Sequence, residues 1–313
     1  MSATVTTIDA PAMATATVAA AGVRKAHLSV GKMVVLSVLA GVYIGVGAQL
    51  ATLATSGDAK PGGPQLILGG AVFSVGLIMI VIAGAELFTG NCLLLIAVFD
   101  GSLKLADMLI DWAVVYSGNF VGAVLFAAMV YGMGLNGSTA PSTLSNNATA
   151  FFNADADLTA SGTRLCAIAG AKAKDGSGAI FLRGVGANML VCLAVIMAVA
   201  SRTPSGKILS IVFPIGTFVA LGMDHSIANM YFFSAATMLQ CPVANHGHYW
   251  RNLVLATLGN ILGAGLLALA YFFSFVFDQA PAAASPPPAA APPAVKGSAP
   301  TEPAAETSSP DEA

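Results

Sequence analysis

Of the 313 residues, only 9% are charged and 56% are apolar, whereas soluble domains carry about 25% charged residues. So few charges cannot cover the surface of a water-soluble globule of this length. A net charge of −2 also gives no basic footprint for nucleic acid, so a nucleic-acid partner is excluded. The composition indicates an integral membrane protein.

Apolar segments of spanning length follow one another along the chain. A spanning helix needs about 20 predominantly apolar residues, and six segments qualify: 33–54, 66–99, 108–131, 179–200, 208–239 and 253–277. The second and fifth are too long for a simple span, and each has an acid near its middle, Glu86 and Asp224. We therefore predict an all-α membrane protein with six transmembrane helices, of which the second and fifth are interrupted.

The two ends of the chain differ in composition from the spans. Residues 1–24 are rich in Ala and Thr, and residues 278–313 are rich in Pro and Ala. Segments without apolar bulk cannot offset their chain entropy. We expect both ends to be disordered, on either side of a transmembrane domain over 25–277.

Basic residues predict the orientation in the membrane, because Lys and Arg near span ends favour the cytoplasmic side. One side of the predicted topology holds six of them: Arg24, Lys25, Lys32, Lys104, Arg202 and Lys207. Both termini are therefore expected in the cytoplasm, with the polar stretch 134–178 outside. The membrane is expected to be the plasma membrane or a bacterial inner membrane.

Cysteines are few and scattered. Cys92, Cys166, Cys192 and Cys241 form no CxxC pair, so their spacing does not indicate a zinc or redox site. We expect four buried, inert thiols.

Two short patterns occur once in each half of the chain, in the same order. The first is a glycine, an acid two residues later and an asparagine five residues after the acid: Gly84, Glu86, Asn91 and Gly222, Asp224, Asn229. The second is Gly-Asn-x-x-Gly-Ala, at 118–123 and 259–264. The recurrence predicts two repeats, at about 25–133 and 179–277.

Three spans in each repeat imply that the second copy enters the membrane upside down. Inverted repeats of this kind place a shared site near the midplane, where interrupted helices meet. A break in a membrane helix frees backbone N–H groups, which need partners inside the protein. We expect Glu86 and Asp224 to accept from those groups, with Asn91 and Asn229 also supporting the breaks.

His225 is the one histidine within a predicted span. Ionisable residues at membrane depth are costly and usually functional. Its neighbours Asp224 and Ser226 suggest a hydrolytic triad, but adjacent helical residues point about 100° apart and cannot face each other. We therefore predict no enzymatic activity, no metal site and no cofactor.

Longer motifs resemble the formate/nitrite transporter family. They are GAELFTGN at 84–91, RGVGANMLVC at 183–192, DHSIANM at 224–230, and Asn252 followed by Gly-Asn at 259–260. The stretch KAHLS at 25–29 is most similar to the eukaryotic lactate/formate branch. The resemblance implies an aquaporin-like protomer in a homopentamer with one pore per subunit. It also implies passage of small monovalent anions of weak acids, with protons in many members.

Matching the family motifs assigns roles to particular positions. The residues implied for passing substrate and proton are His225, Thr89 facing it, the vestibule lysine Lys172, and the asparagines Asn188 and Asn260. Lys174 is an alternative to Lys172, because the stretch 172–178 is polar and Gly-rich. Asp224 departs from the family pattern, in which many members have Glu. The implied apolar constrictions are Phe73, Leu77 and Leu87 on one side and Phe218 with Val191 on the other.

The function expected from these observations is a channel-like transporter of formate, lactate or acetate, moving with a proton. The proton has two possible sources, bulk water or His225, since histidine titrates near neutral pH. One alternative keeps the fold and passes nitrite or hydrosulfide. A second is a water or glycerol pore, although the two Asn-Pro-Ala boxes of such pores are absent from the sequence.

Overall fold

The computed structural model describes residues 6–58, 60–137, 158–242 and 246–277. These residues form helices joined by turns and short extended segments. The helices are α1 (Pro11–Ala26), α2 (Val30–Ala54), α3 (Gly63–Phe73), α4 (Val75–Met79), α5 (Phe88–Asn91), α6 (Leu94–Phe99), α7 (Leu105–Gly132), α8 (Ala160–Lys174), α9 (Ser177–Ala200), α10 (Pro204–Ala220), α11 (Ser226–Met238) and α12 (His246–Phe275). A π-helical turn, Ile80–Gly84, follows α4.

Five helical stretches within the described ranges are long and apolar enough to cross a membrane. They are α2, the continuous stretch Gly63–Gly84, α7, α9 and the stretch Gly247–Phe275 of α12. The remaining predicted span is divided into α10 and α11, which have 17 and 13 residues. The second predicted span is also divided, because the chain leaves the helix after Gly84 and resumes it at Phe88. The predicted fold class, with interrupted second and fifth spans, is confirmed.

Each break begins at a glycine. Gly84 has φ of +91° and Gly222 has φ of +67°, in the left-handed region that other residues adopt only at a cost. At the first break the next residue, Ala85, is fully extended. The glycine of each repeated motif is therefore the residue that ends the first half-helix.

The Gly-Asn-x-x-Gly-Ala motifs lie where spans approach each other most closely. A side chain at Gly122 would meet the Val38 carbonyl, and a side chain at Gly263 would meet the Val185 carbonyl. Small residues allow such close packing of helix backbones in membranes. The same packing therefore joins α2 to α7 in the first repeat and α9 to α12 in the second.

The N-terminal segment is not disordered where the structure describes it. Residues from Pro11 onward form α1, so the prediction for 1–24 is wrong for 11–24. The small residues of this segment, such as Ala14 and Ala19, are buried against the rest of the protein, so helix packing supplies the burial that its composition did not suggest. Residues 1–5 and 278–313 lie outside the described part.

The segment preceding the second repeat also contains a helix. Within the predicted outer loop 134–178, residues Ala160–Lys174 form α8, and 138–157 lie outside the described part. Helices α1 and α8 each stand immediately before the first span of a repeat. Each structural repeat is therefore a short helix followed by three spans, longer than the sequence patterns indicated.

Two of the four cysteines form a disulfide. Cys166 of α8 and Cys241 after α11 are bonded, with their Cα atoms 5.4 Å apart. The prediction of four free thiols is therefore wrong for this pair, which is distant in sequence and joined only by the fold. Cys92 and Cys192 are free and buried.

Candidate functional site

The first break is held by Asn119 of α7. Its Oδ1 accepts a hydrogen bond from the Phe88 backbone N–H at 2.9 Å. Its Nδ2 donates to the backbone carbonyls of Ser37 and Glu86, both at 2.8 Å. One fully buried amide thus satisfies backbone groups on both sides of the break.

The second break is held in the same way by Asn260 of α12. Its Oδ1 accepts from the Ser226 backbone N–H at 2.9 Å, and its Nδ2 donates to the carbonyls of Gly184 at 2.8 Å and Asp224 at 2.9 Å. Asparagines, rather than acids, therefore satisfy the freed backbone groups. The expectation that Glu86 and Asp224 accept from those N–H groups is wrong.

The acid of the first break faces a lysine instead. Glu86 Oε2 accepts from Lys25 Nζ of α1 and from Asn91 Nδ2, both at 2.9 Å. Asn91 Nδ2 also contacts Asp111 Oδ1 of α7 at 3.0 Å. Glu86 therefore forms a charge-assisted pair with a lysine of α1.

The acid of the second break has the equivalent partners. Asp224 Oδ1 accepts from Lys172 Nζ of α8 at 2.9 Å and from Asn229 Nδ2 at 2.8 Å. Asn229 Nδ2 also donates to Asn252 Oδ1 at 2.8 Å. Lys174, the alternative to Lys172, is exposed on the same helix. The structure therefore brings Lys172 to this break.

His225 and Thr89 meet where the two breaks approach each other. His225 precedes α11, and its Nδ1 accepts from the Ala228 backbone N–H at 3.1 Å. Nδ1 is then unprotonated, so a neutral ring carries its hydrogen on Nε2. Nε2 lies 2.9 Å from Thr89 Oγ1, and both residues are buried. The imidazole thus donates to the threonine hydroxyl across the two repeats.

A cavity of about 380 Å³ leads to this histidine. Arg164 and Lys172 line it, together with Phe73, Phe218 and His225. The Phe218 ring stacks on the imidazole with centroids 5.7 Å apart, and the edge of Phe73 meets Phe218 at 5.6 Å. Basic side chains and two contacting aromatic rings therefore line the same cavity as His225.

Contact between Phe73 and Phe218 corrects the predicted grouping of the constrictions. The two rings touch and line one cavity, so Phe73 does not lie on the opposite side from Phe218. Helices α3 and α10 bring them together, since Gly70 and Gly216 let the two backbones approach. Leu77, Leu87 and Val191 are buried and lie away from the lining of this cavity.

Asn188 lies behind the second break. Its Nδ2 donates to the backbone carbonyl of Asn260 at 2.9 Å, and it is fully buried. Neither Asn188 nor Asn260 lines the cavity. Asn260 therefore holds the backbone on either side of His225, and Asn188 supports the α12 backbone at Asn260.

Four polar residues of the networks and the cavity have no site role that the sequence predicted: Lys25, Asp111, Arg164 and Asn252. Lys25 and Lys172 are equivalent, since each lies near the C-terminal end of a helix that precedes a repeat, and only the fold shows this. Across the described ranges, no cluster of His, Cys, Asp and Glu is suited to a metal ion. The cavity therefore presents charged groups, hydrogen-bonding groups and apolar rings.

Comparison with known sequences identifies the family. The sequence model described as Formate/nitrite transporter matches residues 12–274. The chain belongs to the formate/nitrite transporter family. A probable formate transporter of Methanothermobacter thermautotrophicus is 37% identical over 276 residues, covering 80% of this chain and 92% of the relative.

Other members of the family are similar at slightly lower identity. The formate channel FocA of Escherichia coli strain K12 is 31% identical, with 83% of this chain and 92% of FocA covered. Formate-nitrite transporter 2 of Toxoplasma gondii is 34% identical, with 79% of this chain and 51% of that protein covered. These identities do not set the chain apart as a member of the eukaryotic branch.

Solved structures of the family have the same fold. An FNT family ion channel superposes with a TM-score of 0.70 at 28% identity, covering 84% of this chain and 98% of the other. A pentameric formate channel with formate bound gives a TM-score of 0.62 at 27% identity, covering 78% and 96%. The chain is therefore a membrane transport protein and not an enzyme.

Proposed function

We propose that this protein is a channel-like pathway for formate and related small monocarboxylates, which cross together with a proton. The observation that carries the proposal is the burial of the groups that line one cavity. Its lining cations are partly or fully exposed, whereas Phe73, Phe218 and His225 are buried, and His225 is hydrogen-bonded to Thr89. The formate transporters and channels among its relatives support formate as a substrate.

The change in polarity along this path favours protonation of the substrate. A carboxylate loses much of its hydration free energy when it enters an apolar constriction. The same loss raises the pKa of a carboxylic acid, so an acid that moves inward takes up a proton. We propose that formate, lactate or acetate passes the two phenylalanines as the neutral acid.

His225 is suited to guide a neutral acid rather than to carry a charge. Its Nδ1 already accepts the Ala228 N–H, so a second ring proton would break that hydrogen bond. The Nε2–H and the Thr89 hydroxyl remain as polar groups for the crossing acid. This geometry favours bulk water over His225 as the source of the proton.

Orientation and assembly are parts of the same proposal. Disulfides persist in oxidising compartments, so the Cys166–Cys241 bond favours an extracytoplasmic location for α8 and the cavity. The Lys and Arg distribution favours both termini in the cytoplasm. We propose a homopentamer in the plasma membrane or a bacterial inner membrane, on the precedent of the pentameric formate channel.

Flux into proteoliposomes tests the proposal. Labelled formate, lactate and acetate are offered with and without an inward proton gradient, while a dye inside the vesicles reports their pH. We expect uptake to rise with the gradient and to acidify the vesicle interior. Uptake that is indifferent to the gradient would reject transport with a proton.

Replacing the central histidine sharpens the test. We expect His225→Phe to abolish flux while the oligomer stays assembled, as judged by size-exclusion chromatography. His248→Phe, at an exposed position of α12, is the matched control and should transport like the wild type. Undiminished flux in His225→Phe would remove the imidazole from the mechanism.

Competition separates the alternative cargoes. Nitrite and hydrosulfide are added to the formate assay as competitors, and osmotic swelling measures the passage of water and glycerol. We expect nitrite and hydrosulfide to compete more weakly than unlabelled formate does. Swelling should stay at the level of empty vesicles. Stronger competition by nitrite or hydrosulfide would assign the pathway to those anions.

A further inference from the structure

The charges that line the cavity do not cancel. The charged lining residues are Arg164, Lys172, Asp175 and Arg183. Lys172 is paired with the buried Asp224 at 2.9 Å, and Arg183 is paired with Asp175. Arg164 has no acidic partner among the residues that the structure describes. It is the lining cation whose charge is left uncompensated there.

One edge of the Arg164 guanidinium is already fixed. Its Nε donates to Thr55 Oγ1, at the end of α2, at 3.0 Å. Within the described residues, its two terminal nitrogens donate to no protein acceptor, and the residue lines the cavity. Two parallel N–H groups on one edge match the two oxygens of a carboxylate. The bond to Thr55 thus orients a guanidinium whose two terminal N–H groups can bind a carboxylate.

Burial adds to the case for an anionic ligand. Arg164 lies in α8, outside the candidate spans, and desolvation lowers the pKa of its guanidinium. A guanidinium still keeps its charge at any physiological pH. A desolvated, unpaired cation gains more from an incoming anion than a fully hydrated one does.

Lys172 is less available to a free anion than its place in the cavity suggests. Its ammonium is bonded to Asp224, whose side chain is fully buried. Drawing the lysine away would leave a buried carboxylate without its cation, which is strongly unfavourable. Arg164 precedes Lys172 by two helical turns, about 12 Å along α8. An anion that binds Arg164 separates no ion pair among the described residues.

We infer that Arg164 captures the anionic substrate, binding its carboxylate through the two terminal guanidinium nitrogens before the acid reaches Lys172 and the phenylalanines. The inference rests on the proposed function and adds a binding residue to it. Arg164 therefore determines the KM for the anion. The part of the path that the neutral acid crosses determines the maximal flux.

Kinetics of three variants test the inference. We expect Arg164→Gln to raise the KM for formate about tenfold, the value of one charge-assisted interaction at a partly exposed site, with little change in maximal flux. Arg164→Lys should lie between, because it keeps the charge and loses the fork. Lys174→Gln removes an exposed charge from the same helix and should keep the wild-type KM.

Salt dependence gives a readout that a merely structural role would not move. Charge interactions extend about 30 Å at 0.01 M salt and about 10 Å at 0.1 M. Formate uptake at low substrate should therefore fall with salt in the wild type and in Lys174→Gln, but much less in Arg164→Gln. An unchanged KM and an unchanged salt dependence in a well-assembled Arg164→Gln pentamer would overturn the inference.

Direct binding separates this inference from the proposed function. Line broadening of ¹³C-formate in the presence of detergent-solubilised protein reports binding without transport. Loss of broadening in Arg164→Gln, but not in Lys174→Gln, is the expected result. A wild type that neither binds nor transports formate would defeat the proposed function as well. Normal wild-type transport with equal binding by both variants would defeat the capture role alone.

Discussion

The two breaks share one scaffold and differ in the groups that they present. Each has a left-handed glycine, an asparagine that holds the backbone, and an acid paired with a lysine from the preceding short helix. At the position where the second copy has His225, the first has the buried Leu87. The comparison teaches that the duplicated parts build the breaks, whereas His225, the central residue of the proposed transport path, lies at a position that the copies do not share.

The lysines differ as well. In the first copy, Lys25 Nζ bonds both Glu86 and Asn91 Oδ1, each at 2.9 Å. In the second, Lys172 Nζ bonds Asp224, and Asn229 Oδ1 has no partner among the described residues. Lys172 thus lacks a bond to Asn229 that would match the bond from Lys25 to Asn91. It lines the cavity instead.

The largest effect is expected from removing the asparagines that the copies share. Asn260→Ala leaves the buried Ser226 N–H without its partner and removes one hydrogen bond from each of two buried carbonyls, which should cost about 3 kcal/mol or more. Asn119→Ala should cost about as much, because it loses the equivalent three bonds. Thermal unfolding in detergent measures both, with Ser117→Ala on the exposed side of α7 as a near-neutral control. A wild-type melting temperature in either variant would show that the amide is dispensable.

A smaller and unequal effect is expected from the lysines. Lys172→Met leaves the fully buried Asp224 without its cation and should destabilise by about 3 kcal/mol. Lys25→Met should cost about 2 kcal/mol, between the values for surface and buried pairs, because the Lys25 side chain is 36% exposed and that of Glu86 only 8%. The same melting experiment checks the difference, with Lys174→Met as the control. Equal losses for the two lysines would contradict the unequal burial of the pairs.

The smallest effect is expected at the glycines that begin the breaks. A Cβ at Gly84 or Gly222 meets no atom within 4 Å, so alanine at either position tests the positive φ alone. Each variant should lose about 1–2 kcal/mol. Gly178→Ala, in the first turn of α9 and also in open space, should stabilise by about 0.5–1 kcal/mol. Stabilisation at Gly84 or Gly222 would show that the backbone there relaxes at no cost.

The breaks were predictable because their geometry demands particular residues. A left-handed turn requires glycine, and freed backbone groups require a short amide, so Gly84, Gly222, Asn119 and Asn260 recur as motifs. The acids were recognised together with their asparagine partners, but the lysines that pair with the acids were not. The lysines reside in helices whose small residues gave no apolar signal, and only the fold shows that α1 and α8 are equivalent.

Contacts between distant segments could not be predicted from local patterns. The pairing of Cys166 with Cys241 and the contact of Phe73 with Phe218 depend on how the repeats fit together. Arg164 was one basic residue in a polar stretch until the structure showed which neighbouring cations already have acidic partners. Resemblance to a family assigns roles to single positions. It does not show which of the neighbouring charges are already paired.

The disulfide also orders the biogenesis of the protein. Cys241 follows the fifth span, so its sulfur can reach Cys166 only after both half-helices of that span have been synthesised. Until then no disulfide ties α8 to the end of α11. The bond therefore forms late, and its presence in the purified protein reports that these two distant segments have come together.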